Sequence, residues 1–326
     1  MPPDDNGGPP ALDPTRIDRP TKGIHMTWES ARSLLRFPSR TGTRGDGPQR
    51  MSGVDGRPPA ASLCVASGKG GTGKSIVSAS LGRCFANAGR TLILDADMGI
   101  GNAHILHGLS PDRSFVELVR GDISIHEVIS SCGGGLDLIA AGSGVSRMAG
   151  LTPPEIGLIA NGLAELESEY DQLIVDSAAG ISDQTLHLAA ACDEVLVVTT
   201  PDLTAMTDAY AFLKVLWRAR PDIAPRLVVN RADDMEQARG VARRIDGVCR
   251  KFLGRTPRWT GWIPDDRAVS ECVNARAPVV LHRPESPAGR ALEALADVML
   301  GELRRSRHCG LGRTLARHIG PLAASS

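Results

Sequence analysis

Two lysines in one short glycine-rich stretch give this chain the means to hold a polyanion. Gly68-Lys69-Gly70-Gly71-Thr72-Gly73-Lys74-Ser75 meets the pattern G-x-x-x-x-G-K-[ST] through Gly68, Gly73, Lys74 and Ser75. Glycines let successive backbone N–H groups curl around phosphate oxygens. A helix starting at the end of the loop adds its N-terminal partial charge. In this pattern Lys74 reaches the β- and γ-phosphates and the Ser75 hydroxyl ligates Mg²⁺, while Gly70, Gly71 and Thr72 complete the cradle. The chain has five lysines among its 37 basic residues, and two of them stand in this loop. A compact ammonium fits a phosphate cradle where a planar guanidinium does not.

Carboxylates follow at two further places. Leu94 leads into Asp95-Ala96-Asp97-Met98-Gly99-Ile100-Gly101-Asn102. Spacing of i, i+2 turns both aspartates to one face of a strand, and the carboxyl ends of strands are where open α/β sheets bind ligands. The run Leu173-Ile174-Val175 ends in Asp176, followed by Ser177-Ala178-Ala179-Gly180. A carboxylate at the open end of a buried strand suits Mg²⁺, held directly or through water. Asn230-Arg231 closes another apolar run, and Gly261-Trp262-Ile263-Pro264-Asp265-Asp266 closes a fourth. By itself the strand-end Asn-Arg pair is equally well explained as turn chemistry.

The elements that must position these residues alternate along the chain. Strands are expected at 62–66, 91–94, 136–140, 172–176, 194–199, 226–230 and 259–263, with helices at 75–88, 153–169, 204–219 and 234–252. Strand–helix alternation predicts an α/β fold, a mainly parallel sheet with helices on both faces. With 42% hydrophobic and only 3% aromatic residues, the core must be aliphatic. The expected domain spans 61–303. Before it, residues 1–60 hold ten of the 22 prolines and read as a disordered leader. One stretch in the leader, 26–37, places Trp28, Ala31, Leu34 and Leu35 at near-helical spacing, a short partner-binding helix. After it, 304–326 is a basic tail in which Leu311, Leu315, Ile319 and Leu322 recur beside Arg313 and Arg317, as in helices that lie on anionic membrane.

Composition narrows the function. Net charge is zero, so any nucleic-acid surface must be local. Seven scattered cysteines without a C-x-x-C pair argue against a disulfide framework and a zinc site, and point to a reducing cytoplasm. Peripheral contact with the inner face of the cell membrane would come from the tail.

The extra Lys69 makes the loop resemble the deviant Walker A group of P-loop ATPases, the MinD/ParA family, over about residues 61–300. The resemblance implies that Lys69 crosses an ATP-dependent homodimer interface to the partner's nucleotide. It implies that Asp97 orients the attacking water, that Asn102 lies near the nucleotide, and that Asp95 supports Lys74 or the metal shell. Asn230 and Arg231 would meet the adenine, with Pro264 and Asp265 in the loop closing over it. No arginine finger is evident, so slow, partner-dependent hydrolysis of ATP with Mg²⁺ is expected. The strings Val198-Thr199-Thr200-Pro201-Asp202 and Ile263-Pro264-Asp265-Asp266 lean toward the FlhG (YlxH) branch, which sets flagellar number. Its partners are an FlhF-type GTPase and flagellar switch proteins. The branch's D-Q-A-x-x-L-R pattern is met only partly by Glu29-Ser30-Ala31-Arg32-Ser33-Leu34-Leu35-Arg36, where alanine and leucine match and the rest does not. A ParA-like ATPase that partitions DNA or cargo is the alternative. An iron–sulfur carrier of this group would need paired cysteines, and a tyrosine kinase would need a tyrosine-rich tail instead of Tyr170 and Tyr210 alone.

Overall fold

The computed structural model describes residues 58–97, 101–121, 123–142, 153–306 and 308–323. The stretch 26–37 and residues Met98 to Ile100 lie outside them. Eight strands are present: β1 (Ala61–Ser67), β2 (Thr91–Ala96), β3 (Ile129–Gly133), β4 (Leu136–Ile139), β5 (Gln172–Ala179), β6 (Glu194–Thr199), β7 (Arg226–Ala232) and β8 (Arg258–Pro264). Ten α-helices accompany them among the described residues: α1 (Lys74–Ala86), α2 (Phe115–Arg120), α3 (Pro153–Leu166), α4 (Asp183–Ala191), α5 (Leu203–Ala219), α6 (Met235–Leu253), α7 (Arg267–Asn274), α8 (Val279–His282), α9 (Pro287–Leu303) and α10 (Leu311–Ala323).

The strands form one sheet in the order β3-β4-β2-β5-β1-β6-β7-β8. Every neighbouring pair is parallel except β3–β4. Both faces are covered, as a parallel sheet requires. Alternate β1 side chains serve opposite layers. Leu63 and Val65 pack with Leu81 and Phe85 of α1 and Leu292 of α9, while Cys64 and Ala66 belong to the layer of α3, α5, α6 and α10. From β1 the chain crosses to β2 on one side, and from β5 it crosses to β6 on the other. The carboxyl end of β1 therefore sits where the winding reverses, the position at which such sheets open a crevice.

Two expectations need correction. β3 was not anticipated. It is an antiparallel edge strand returning through Gly133, Gly134 and Gly135, all left-handed, with φ of 77°, 58° and 81°. The second concerns the 304–326 tail, expected to stand apart with its apolar side free for lipid. Instead Leu311 and Leu315 are 0% and 1% exposed, inside the core against α3. The backbone N–H of Gly312 donates to Glu167 at 2.6 Å, and Arg313 lies 3.5 Å from the same carboxylate. The folded unit thus continues past Leu303 into α10. No helix among the described residues is long and apolar enough to cross a membrane.

Candidate nucleotide site

The glycine loop is shaped from below and from the sides. Gly68 lies so close to α5 that a Cβ there would meet the Asp208 carbonyl oxygen at 2.0 Å. Gly71 and Gly73 take left-handed φ of 76° and 91°, which admits few other residues. A Cβ on Gly73 would also strike the Asn230 amide at 2.3 Å, and that amide donates to the Thr72 carbonyl at 2.8 Å. Above Gly71 there is open space. Thr72 Oγ1 is buried with no hydrogen-bond partner among the described residues. A cradle with free space at its centre and an unsatisfied hydroxyl in its wall fits a phosphate group.

Lys74 opens α1 and is 8% exposed. Burial pulls its ammonium below the ordinary range, while Asp176 and then Asp97 pull it back up. Asp95 and Asp176 are register partners on β2 and β5, so two carboxylates stand side by side at the sheet's carboxyl end, each 1% exposed. Burial, and then the charge of Asp176, lifts Asp95 to about 7 against hydrogen bonds from Ala103 N–H and Asp97 N–H, each 3.1 Å. Burial lifts Asp176 to about 6, opposed by hydrogen bonds from Ser75 and Ser78 and by Lys74. Two crowded, desolvated carboxylates gain from an incoming cation. With the Ser75 hydroxyl they make a small oxygen donor set. That matches Mg²⁺, which keeps several waters and takes its remaining ligands from substrate phosphates.

The other expected site residues fall into three places. Asp97 is half-buried at the end of β2, near Lys74. Lys69 turns outward: its Nζ donates to Thr204 Oγ1 at 2.6 Å and lies 3.9 Å from Asp202, with the side chain 39% exposed. Asn102 is exposed, and its backbone carbonyl accepts from Ile105 N–H at 3.1 Å. Asn230, Arg231, Pro264 and Asp265 do converge. With Gly71 and Gly73 they line one cleft of about 460 Å³. Arg231 holds a left-handed φ of 58° and faces Asp265 at 3.8 Å. Strain at a non-glycine residue beside a cleft is the kind that binding sites store.

Sequence reasoning missed several contributors. Ser78, one turn into α1, donates to Asp176 at 3.0 Å. Gly101 passes so near β2 that a Cβ would meet Asp95 Oδ2 at 2.6 Å. The far wall of the cleft is Val269, Ser270, Val273 and Asn274 of α7. Asp266 accepting from Ala268 N–H as the cap of that helix was its available signal.

A glycine loop between a buried strand and a helix, with a lysine and strand-end carboxylates at its mouth, defines a P-loop nucleotide-binding protein. This chain belongs to the CobQ/CobB/MinD/ParA nucleotide-binding domain family, whose model matches residues 63–279. It is 33% identical to the antiactivator FleN of Pseudomonas aeruginosa over 240 residues, 73% of this chain and 86% of FleN. It is 29% identical to the septum site-determining protein MinD of Bacillus subtilis over 245 residues, 74% and 89% of the two chains. With the flagellum site-determining protein YlxH of Helicobacter pylori the identity is 26% over 246 residues, 74% and 82%. Among solved structures, the cell division ATPase MinD of Pyrococcus furiosus superposes with a TM-score of 0.64 at 22% identity, over 74% of this chain and 99% of that one.

Proposed function

We propose that the protein is a slow, Mg²⁺-dependent ATPase whose ATP-bound form dimerises, and that it serves as a switch controlling the placement or number of flagella or of another polar assembly. The observation that carries the reading is the placing of Lys74, at the end of the Gly71–Gly73 cradle, beside Asp176 and Asp97, with Asp95 the register partner of Asp176 on the next strand. The flagellar part rests on the relatives named FleN and YlxH. Mg²⁺ would be held by Ser75, Asp176 and Asp95, and would supply charge neutralisation on the phosphates. Backbone N–H groups of Gly70 to Lys74 would bind the phosphates, with Lys74 on the terminal pair. Asp97 would orient the attacking water, accepting its proton as it adds. Asn230 and Arg231, with Pro264 and Asp265 opposite, would enclose the base. Lys69, held among the described residues by Thr204 and Asp202, would exchange those partners for a phosphate of the facing subunit.

The test is turnover and sedimentation with Mg-ATP. Asp97→Ala should bind nucleotide yet lose roughly 10²–10⁴-fold in turnover, the usual contribution of a positioned base, and accumulate as dimers. Lys69→Ala should bind nucleotide and stay monomeric. Wild-type turnover in Asp97→Ala would remove the assigned role, and normal dimerisation of Lys69→Ala would remove the trans contact.

A further inference from the structure

Three serines of α1 differ in what their hydroxyls meet. Ser75, at the mouth of the helix, hydrogen-bonds Asp176. Ser78, 0% exposed, donates from Oγ to Asp176 Oδ1 at 3.0 Å. Ser80 is equally buried, and its Oγ has no hydrogen-bond partner among the described residues. A hydroxyl inside a helix commonly turns back to the carbonyl four residues earlier. Thr207 of α5 does so, donating to the Leu203 carbonyl at 2.9 Å. Ser78 reaches across to β5 instead. Ser80 shows that α1 keeps a buried hydroxyl where no partner answers it, so the need to satisfy a serine does not account for the Ser78 contact.

Ser75 and Ser78 stand three residues apart, on the face of α1 that meets β5. Ser78 lies about 4.5 Å deeper along the helix axis. Asp176 is thus held from two levels. A carboxylate needs such holding, because its last torsion is broad and roughly two-fold. The charges around Asp176 pull it in different directions. Lys74 attracts it, Asp97 repels it, and Asp95 stands beside it as its register partner on β2. Ser75 has a second duty as an expected ligand of Mg²⁺. Ser78, fully buried beneath the site, has none.

We propose that Ser78 is a positioning residue for the metal: its hydrogen bond to Oδ1 fixes the plane of the Asp176 carboxylate, so that Asp176 meets Mg²⁺, or a water of its shell, in one orientation. The inference rests on the nucleotide reading above and adds to it a residue that touches neither nucleotide nor metal. Groups that orient a metal's ligand carry much of a site's affinity, and losing one costs about 10–100-fold. A serine that served packing alone would alter nucleotide binding equally with metal and without it. A serine that orients Asp176 alters only the part that depends on metal.

The experiment uses the full chain and the fluorescent nucleotide mant-ADP, first in EDTA and then through a titration with Mg²⁺. Ser78→Ala is compared with Ser80→Ala, its match in helix and burial. Wild type should bind mant-ADP more tightly as Mg²⁺ is added. Ser78→Ala should match wild type in EDTA and need about tenfold more Mg²⁺ to reach half of the change. Ser80→Ala should follow wild type in both. ATP turnover should divide in the same way, with the KM for Mg²⁺ in Ser78→Ala raised about tenfold and kcat at saturating Mg²⁺ lowered far less. An unchanged Mg²⁺ midpoint in Ser78→Ala overturns the proposal and leaves the nucleotide reading standing. So does an equal loss in EDTA and in Mg²⁺, which would place Ser78 in the packing of α1. Wild type that fails to bind mant-ADP, or binds it without regard to Mg²⁺, would bring down the nucleotide reading and this inference with it.

Discussion

Buried carboxylates occupy both ends of the sheet, burial raises them at both, and they differ in the charges beside them. At the amino end, Asp193 accepts from Ser62 N–H at 2.9 Å, Ser62 Oγ–H at 2.8 Å and Cys309 N–H at 3.1 Å. Arg226 there bridges Glu194 on β6 and Glu302 on α9, and Ser306 Oγ donates to Glu194. These groups tie the segment after α9 to the strand starts. At the carboxyl end, Asp95 and Asp176 face each other across adjacent strands, and burial lifts both out of the usual carboxylate range. Both ends supply donors to their carboxylates. At the carboxyl end, though, Asp95 and Asp176 stand as register partners, and each is pushed further up by a neighbouring carboxylate. The same residue type is structural where its own donors suffice and functional where crowded carboxylates call for a cation.

Substituting one aspartate at each end separates the two roles. Asp176→Asn should lose on the order of 10²–10³-fold in ATP turnover, the scale of a removed electrostatic contact at a reacting group. It should not lower the melting temperature of the nucleotide-free protein, since a desolvated charge is removed. Turnover assays with differential scanning fluorimetry decide this, and a melting temperature well below wild type would place Asp176 with the structural group. Next in size is Leu315→Ala in α10. Truncating a fully buried leucine costs about 2–5 kcal/mol, so the urea midpoint should fall while turnover at 25 °C stays. An unchanged midpoint would return α10 to the status of a loose tail. Asp193→Asn should cost about 1–3 kcal/mol, because its amide must turn a donor toward an N–H. Turnover per folded molecule should again be unchanged.

Much of this contrast was legible in the sequence at the carboxyl end and little of it at the amino end. The phosphate loop and the strand-end aspartates announce themselves because phosphate binding dictates residue type at fixed spacing. Seven of the eight strands read clearly as apolar runs for a sheet buried on both faces. β3, Ile-Ser-Ser-Cys-Gly, did not, because an edge strand with one face in water needs no such run. The tail's helical spacing was legible, but its apolar side was assigned to lipid when Leu311 and Leu315 enter the core. Gly310 and Gly312 look like helix breakers, yet a Cβ on Gly312 would meet the Ala160 carbonyl and the Ala164 amide nitrogen, each at 2.4 Å. They are small so that α10 can close against α3. A contact between segments some 150 residues apart leaves no local periodicity to find.

Glu167 gives the finest test, because it belongs to the structural end yet is incompletely satisfied. Its side chain is 1% exposed; Oε1 accepts from Gly312 N–H, while Oε2 has no hydrogen bond among the described residues and sits 3.5 Å from Arg313. Burial raises its carboxyl above the ordinary 4.5, against Gly312 and Arg313 and with a further push from Asp193. A carboxyl whose folded pKa is raised binds its proton more tightly folded than unfolded. Its favourable contribution is complete below the unfolded value and is lost as pH rises through the folded one. Glu167→Gln keeps an acceptor for Gly312 and cannot ionise, so it should remove that part of the decline. Comparing urea midpoints at pH 5 and pH 8, the variant should fall less than wild type, with the remaining slope owed partly to Asp193, which burial raises in the same sense. Parallel slopes would mean that Arg313 already satisfies the ionised carboxylate, and that the amino end is as fully furnished at Glu167 as at Asp193.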